Sequence, residues 1–223
     1  MRRQFTRQVL SCAFGLLGLM AQVQAVTVDF ESVGPDLYFD SDTFSENGYQ
    51  FSVIGDLGTV DTAAAFVVAQ APIGNDTQFY SGFNDSMLGL ASLDGRPFRL
   101  TSFDAAFVAP EPQAPGVMAG RIVVSGIDLL DNTVLGSWDF AASDASGLFA
   151  FQSYSAGLAS LGTLKSATFG ACLYVGNDCV NPADNLAQFS LDNINVVAVP
   201  EPSTYALLAL GLAAVALRRR ASR

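Results

Sequence analysis

The sequence predicts an all-β protein, a single jelly-roll-like β-sandwich, and three observations lead there. Residues 26–199 are a succession of short apolar or alternating stretches separated by Gly, Asn, Asp and Pro. No apolar pattern of 3.6-residue period is sustained between the two ends of the chain. The 223 residues are room for one ordinary domain, and half of them are hydrophobic, enough to fill a core.

Ten strands are expected, each a run of β-branched, aromatic or alternating residues. In order they are Thr27–Glu31, Tyr49–Ile54, Ala65–Ala69, Met87–Ala91, Phe98–Val108, Gly120–Leu130, Val134–Phe140, Leu148–Tyr154, Ser166–Tyr174 and Ala187–Val197. Turn residues punctuate them: Gly34 and Pro35, Gly74 to Asp76, Asp94 to Pro97, Pro110 to Gly116, and Asp131 with Asn132. Ten strands over such a length fit two sheets that close a core face to face. In the last strand Phe189 and Leu191 alternate in one phase and Ile194 and Val196 in the other, so a β-bulge is expected at Asp192 and Asn193.

The two ends read as addresses. Arg2, Arg3 and Arg7 precede an apolar stretch from Val9 to Met20, and Val23, Gln24 and Ala25 present small residues at the first and third positions before a cut. That is the order of parts in a secretory signal peptide over residues 1–25, with signal peptidase cutting after Ala25. The apolar stretch is shorter than the roughly 20 residues a bilayer span needs, which favours export over an uncleaved anchor. At the other end Pro200, Glu201 and Pro202 stop any strand, an apolar segment runs from Ala206 to Leu217, and Arg218, Arg219 and Arg220 follow. A short helix ended by arginines is held with that end in the cytoplasm.

This arrangement over residues 200–223 resembles the PEP-CTERM sorting signal of Gram-negative bacteria. The resemblance implies an exosortase as partner, a precursor held in the inner membrane by the C-terminal helix alone, and a processed form at the cell surface or in the extracellular matrix. Gln188, Phe189, Ser190, Leu191 and Asp192 also resemble the QFxxD motif of one PEP-CTERM family. The Phe30–Glu31 of the first strand and Leu191–Asp192–Asn193 of the last resemble jelly-roll carbohydrate-binding modules of galactose-binding-like fold. There, such acids help to hold a structural calcium. On that resemblance Glu31 and Asp192 are candidate calcium ligands, with Asp40, Asp42 and Glu46 near enough in sequence to add to them. Equally, Asp192 and Asn193 serve only the backbone at a bulge and Glu31 is solvated.

Charge excludes several functions. Residues 26–199 carry four basic side chains, Arg96, Arg99, Arg121 and Lys165, against twenty acidic ones. Such a surface repels a phosphate backbone, so no nucleic-acid partner is expected. The chain has no histidine, which removes Ser-His-Asp and Cys-His catalysis and histidine-bound zinc or haem. A glycosidase needs two carboxylates set about 5 to 9 Å apart across a cleft. The glutamates of the middle, Glu31, Glu46 and Glu111, sit in no hydrolytic motif, and no catalytic residue is assigned. Cys12 leaves with the signal peptide, and Cys172 and Cys179 flank a Gly-Asn-Asp turn, which in an exported chain reads as a hairpin disulfide.

The function expected is therefore non-catalytic: association with exopolysaccharide or biofilm matrix through a carbohydrate-binding-like sandwich. A purely structural or adhesive surface protein is the alternative, with a glycoside-acting enzyme behind it. Sugar rings stack on aromatic faces while amides and carboxylates take the hydroxyls. Tyr80, Phe83, Asn84 and Asp85 are the expected contacts, beside a glycine turn; Tyr154 is a further candidate, and Trp138 is expected in the core with Phe140.

Overall fold

The structure is a computed structural model that describes residues 25–67, 69–180 and 186–199, with 210, 211 and 218. The expected signal peptide before Ala25, and Pro200, Glu201, Pro202, Arg219 and Arg220 of the tail, lie outside the described residues. Residues Ala25–Val199 form one compact unit. Among the described residues no helix is long and apolar enough to cross a membrane.

Among the described residues fourteen strands build that unit. The first seven are β1 (Ala25–Val28), β2 (Asp36–Phe39), β3 (Thr43–Glu46), β4 (Tyr49–Ile54), β5 (Leu57–Asp61), β6 (Phe79–Phe83) and β7 (Met87–Ser92). They are followed by β8 (Phe98–Phe107), β9 (Gly120–Asp128), β10 (Thr133–Asp139), β11 (Gln152–Tyr154), β12 (Leu164–Val175), β13 (Asp178–Val180) and β14 (Phe189–Ala198). Every strand pair is antiparallel. One layer runs β2-β5-β6-β14-β8-β11, with β1 beside β6 on the same edge of β14. The other runs β3-β4-β7-β12-β9-β10, with β13 folded back on β12. The layers meet at the pairing of Leu164 with Phe98.

Alternation explains which side chains fill the space between them. Along β4, Tyr49, Phe51 and Val53 are buried and Gln50 is exposed; along β9, Ile122 and Val124 point inward in the same way. Aromatic rings then bridge the layers: Tyr49 meets Phe98 at 5.7 Å between centroids, Phe44 meets Tyr80 at 6.3 Å, and Phe103 meets Phe169 at 5.4 Å. Burying a ring of this size contributes roughly 1.5–3 kcal/mol, so these contacts are the main cohesion of the sandwich.

The bulge expected in the last strand is present. The register of β14 against β8 shifts between Asp192 and Asn195, and Asn193 has φ +49°. The disulfide expected from the sequence joins Cys172 of β12 to Cys179 of β13. No strand forms among the described residues of the expected Ala65–Ala69: Ala63–Ala65 make a single 3-10 turn. Of Leu148–Tyr154 only Gln152–Tyr154 joins the sheet.

Many acids are spent on backbone. Glu46 is buried and accepts the N–H groups of Phe30 and Ser32, fixing the turn after β1. Asp40 accepts Gly55 N–H and Asp42 accepts Phe39 N–H, while Asp128 and Asp144 each accept two N–H groups of their own loops. Loops and turns leave such donors without a strand partner, and a carboxylate supplies it, from within the same loop for Asp42, Asp128 and Asp144 and from a distant segment for Glu46 and Asp40. Both ends of the unit leave from one pole, since Ala25 lies opposite Val197 across β1 and β14.

Candidate functional site

The described surface has a cleft of about 510 Å³ where the free edges of β10 and β11 approach each other. Arg121 of β9, Ser137, Trp138 and Asp139 of β10, Gln152 to Tyr154 of β11, and Ser155 and Ala156 after it line this cleft. Register creates its polar wall: Asp139 lies directly opposite Arg121, and the guanidinium Nε donates to the carboxylate at 2.6 Å. Tyr174 of β12 adds its hydroxyl to the same carboxylate oxygen, and its ring lies 5.4 Å from the guanidinium carbon. The Tyr174 hydrogen bond and then Arg121 hold the Asp139 carboxyl below its usual range, so it is a carboxylate at neutral pH.

Trp138 forms the apolar wall. It is half-buried, packs edge-on against Phe103 at 5.6 Å, and its indole N–H donates to Ala156 carbonyl oxygen at 2.7 Å across the seam. Gly136 makes this pose feasible: a Cβ there would stand 2.4 Å from the indole ring. Tyr154 closes the bottom, buried, stacked on Phe103 and donating to Asp139 carbonyl oxygen at 3.0 Å. Burial pushes its phenol up to about 12, so it stays a donor. The sequence placed Trp138 in the core by alternation; it does point inward, but from an edge strand, which leaves part of it at the surface.

The four expected glycan contacts separate. Tyr80 is fully buried, a correction to its expected place on a loop: β6 pairs with β5 and β14, and Tyr80 faces inward onto Phe30, Phe44 and Phe189. Gly58 leaves room for its ring. Phe83 and Asn84 line a second concavity of about 650 Å³, with Pro35, Leu37, Leu57 and Phe66 among its walls. Asn84 donates to Asp56, and Asp85 accepts Ala187 N–H. The acids in this groove are Asp36 and Asp61, and no base faces them.

Glu31 and Asp192 have different partners. Exposed Glu31 accepts Gln78 N–H at 2.7 Å. Asp192 is buried and accepts from Asn75 Nδ2 at 2.6 Å and from Asn193 through both its backbone N–H and Nδ2. The same Nδ2 reaches Asp104. Desolvation, with Asp104 and Asp29 nearby, pushes the Asp192 carboxyl up to about 7, against the lowering by its own hydrogen bonds. A cation on Asp192 would have to displace those donors. Among the described residues no three His, Cys, Asp or Glu side chains gather to hold a metal ion.

Beyond the last strand, residues 198–220 match the family model of the PEP-CTERM protein-sorting motif. The chain carries a PEP-CTERM sorting motif. The match covers the tail and does not reach Gln188 to Asp192, where the QFxxD resemblance lies. No curated protein matches the chain in sequence. In fold, a DUF4465 family protein from Bacteroides caccae is similar, with a TM-score of 0.51 at 11% identity over 79% of this chain and 100% of that one. At that identity the likeness shows the fold alone, a β-sandwich ahead of the PEP-CTERM tail. The CBM22-2 xylan-binding domain of Xyn10C from Paenibacillus barcinonensis is similar over 78% of this chain and 99% of that one, with a TM-score of 0.34 at 13% identity. That score is too low to decide a fold or a ligand.

Proposed function

We propose that this is an exported surface protein, processed by signal peptidase after Ala25 and by an exosortase at its tail, whose sandwich associates non-catalytically with extracellular polysaccharide. The PEP-CTERM match over residues 198–220 carries the sorting half of this reading. The seam cleft supports the polysaccharide half: a rigid indole, an ion pair, and the side chains of Gln152, Ser153 and Ser155, which make no hydrogen bond among the described residues, offer a ring face and hydroxyl partners in an open site. The non-catalytic reading is supported by the one carboxylate that lines the cleft, Asp139, which is ionised and tied to Arg121 and Tyr174.

The intact mass of the protein recovered from cells with and without an exosortase tests the sorting half. The expected product begins at Val26 and has lost the arginine-rich end when the exosortase is present. A tail retained in both strains would refute exosortase processing.

A further inference from the structure

We propose that the seam cleft is selective for a carboxylate-bearing sugar, a uronate residue of an acidic polysaccharide, with Arg121 taking the carboxylate and Trp138 the ring. This rests on the polysaccharide reading above and names the substrate class of the same site. The cleft is the exception in an acidic domain. Of the four bases in residues 26–199, Arg121 lines a concavity, whereas Arg96 pairs with Asp94, Lys165 pairs with Asp131 and Arg99 bonds Thr163, all away from both concavities.

The guanidinium is also positioned for a ligand. Its Nε is committed to Asp139 at 2.6 Å and the Tyr174 ring lies 5.4 Å from its guanidinium carbon, while its Nη atoms carry four N–H groups, more than the neighbouring Tyr174 hydroxyl can accept. A planar fork fixed at one nitrogen matches a carboxylate, and its side-chain entropy is already lost before binding. The pair with Asp139 has no net charge, so a ligand carboxylate is held by the directed N–H groups of the Arg121 fork and not by a net positive field, while the Tyr174 hydroxyl covers Asp139 Oδ1. The groove beside Phe83 lacks this property, since it holds Asp36 and Asp61 and no cation.

The overall negative charge works against a polyanion at long range, but at physiological salt it is screened beyond about 8 Å, and the contact with Arg121 is not. Discrimination therefore comes from the cleft and not from the field of the whole domain.

Trp138 is the chain's one tryptophan, so its fluorescence reports on this cleft directly. The test titrates the full chain in mild detergent, at 0.15 M salt, with a galacturonate oligomer, with the same oligomer methyl-esterified, and with a neutral xylan oligomer. The free acid is expected to bind at least about tenfold tighter than its ester, the size of one charge-assisted hydrogen bond. Arg121→Gln should remove that preference and Arg121→Lys should keep part of it, with the far-ultraviolet spectrum unchanged in both. Equal affinity for acid and ester, or a preference that survives Arg121→Gln, would overturn the uronate assignment while leaving polysaccharide binding intact. No fluorescence change with any of the three oligomers would overturn both.

Discussion

Asp192 makes stability depend on pH near neutrality. The chain has no histidine, and this buried carboxyl, pushed up to about 7 by desolvation at the bulge, changes charge between pH 5 and 8. Its unfolded value is near 3.8, so between those values the folded state binds the extra proton and stability falls as pH rises. Applying linkage to these two values gives a loss of roughly 2–3 kcal/mol from pH 5 to pH 8. For a domain of this size that is a fall in Tm of roughly 5–10 °C. Urea melts at pH 5, 6, 7 and 8 would measure it. Asp192→Asn should flatten the profile, and Asp104→Asn, which removes a neighbouring charge but keeps an acceptor for Asn193, should shift the fall to lower pH. A wild-type profile that is flat or rises over this range, or an Asp192→Asn profile with the same slope, would refute the reasoning.

Three other perturbations have defined outcomes. Cys172→Ser, or reductant on the wild type, should cost about 2–3 kcal/mol by releasing a short loop, and an unchanged melt in both would show the hairpin disulfide to be energetically silent. Tyr80→Phe should stabilise the fold by about 1 kcal/mol, because the buried Tyr80 hydroxyl has no hydrogen-bond partner among the described residues; a loss of stability would mean that this hydroxyl is satisfied in solution. The sheet runs to Ala198 and Val199 N–H still bonds Pro97, so the folded domain abuts the sorting motif. A six-residue Gly-Ser insertion after Val199 should therefore speed exosortase processing, and an unchanged rate would show that the folded edge does not hinder the enzyme.

Strands with one buried face were legible in the sequence, and those without were not. β4, β8, β9 and β10 were expected within two residues of their ends, β4, β9 and β10 because each alternates over six or more residues and β8 because it alternates in two successive phases. β6 was missed because Phe79, Tyr80, Ser81 and Gly82 are all buried, so no period marks it. β2, β3 and β5 were missed because they are four or five residues long and set among turn residues. The bulge was visible as a phase change, and the disulfide as a turn between two cysteines. The cleft was not visible as a site. Trp138 and Tyr154 stand out by residue type, but Arg121 and Asp139 become partners only through the register of β9 and β10, which strand periodicity does not specify. A charged pair facing out from two apolar strands was the available signal. Tyr80 was misplaced for the complementary reason: its flanking Gly82 and Asn84 look like a loop, but strand pairing on both sides carries the tyrosine inward.

The most direct test of the account is a glycan-array measurement on the exported protein and its Trp138→Ala variant, run with calcium and again with chelator. The expected result is saturable binding by the wild type that Trp138→Ala abolishes while its melting profile stays cooperative. A blank wild-type array over acidic and neutral polysaccharides would contradict it and leave a sorted structural protein of the cell surface.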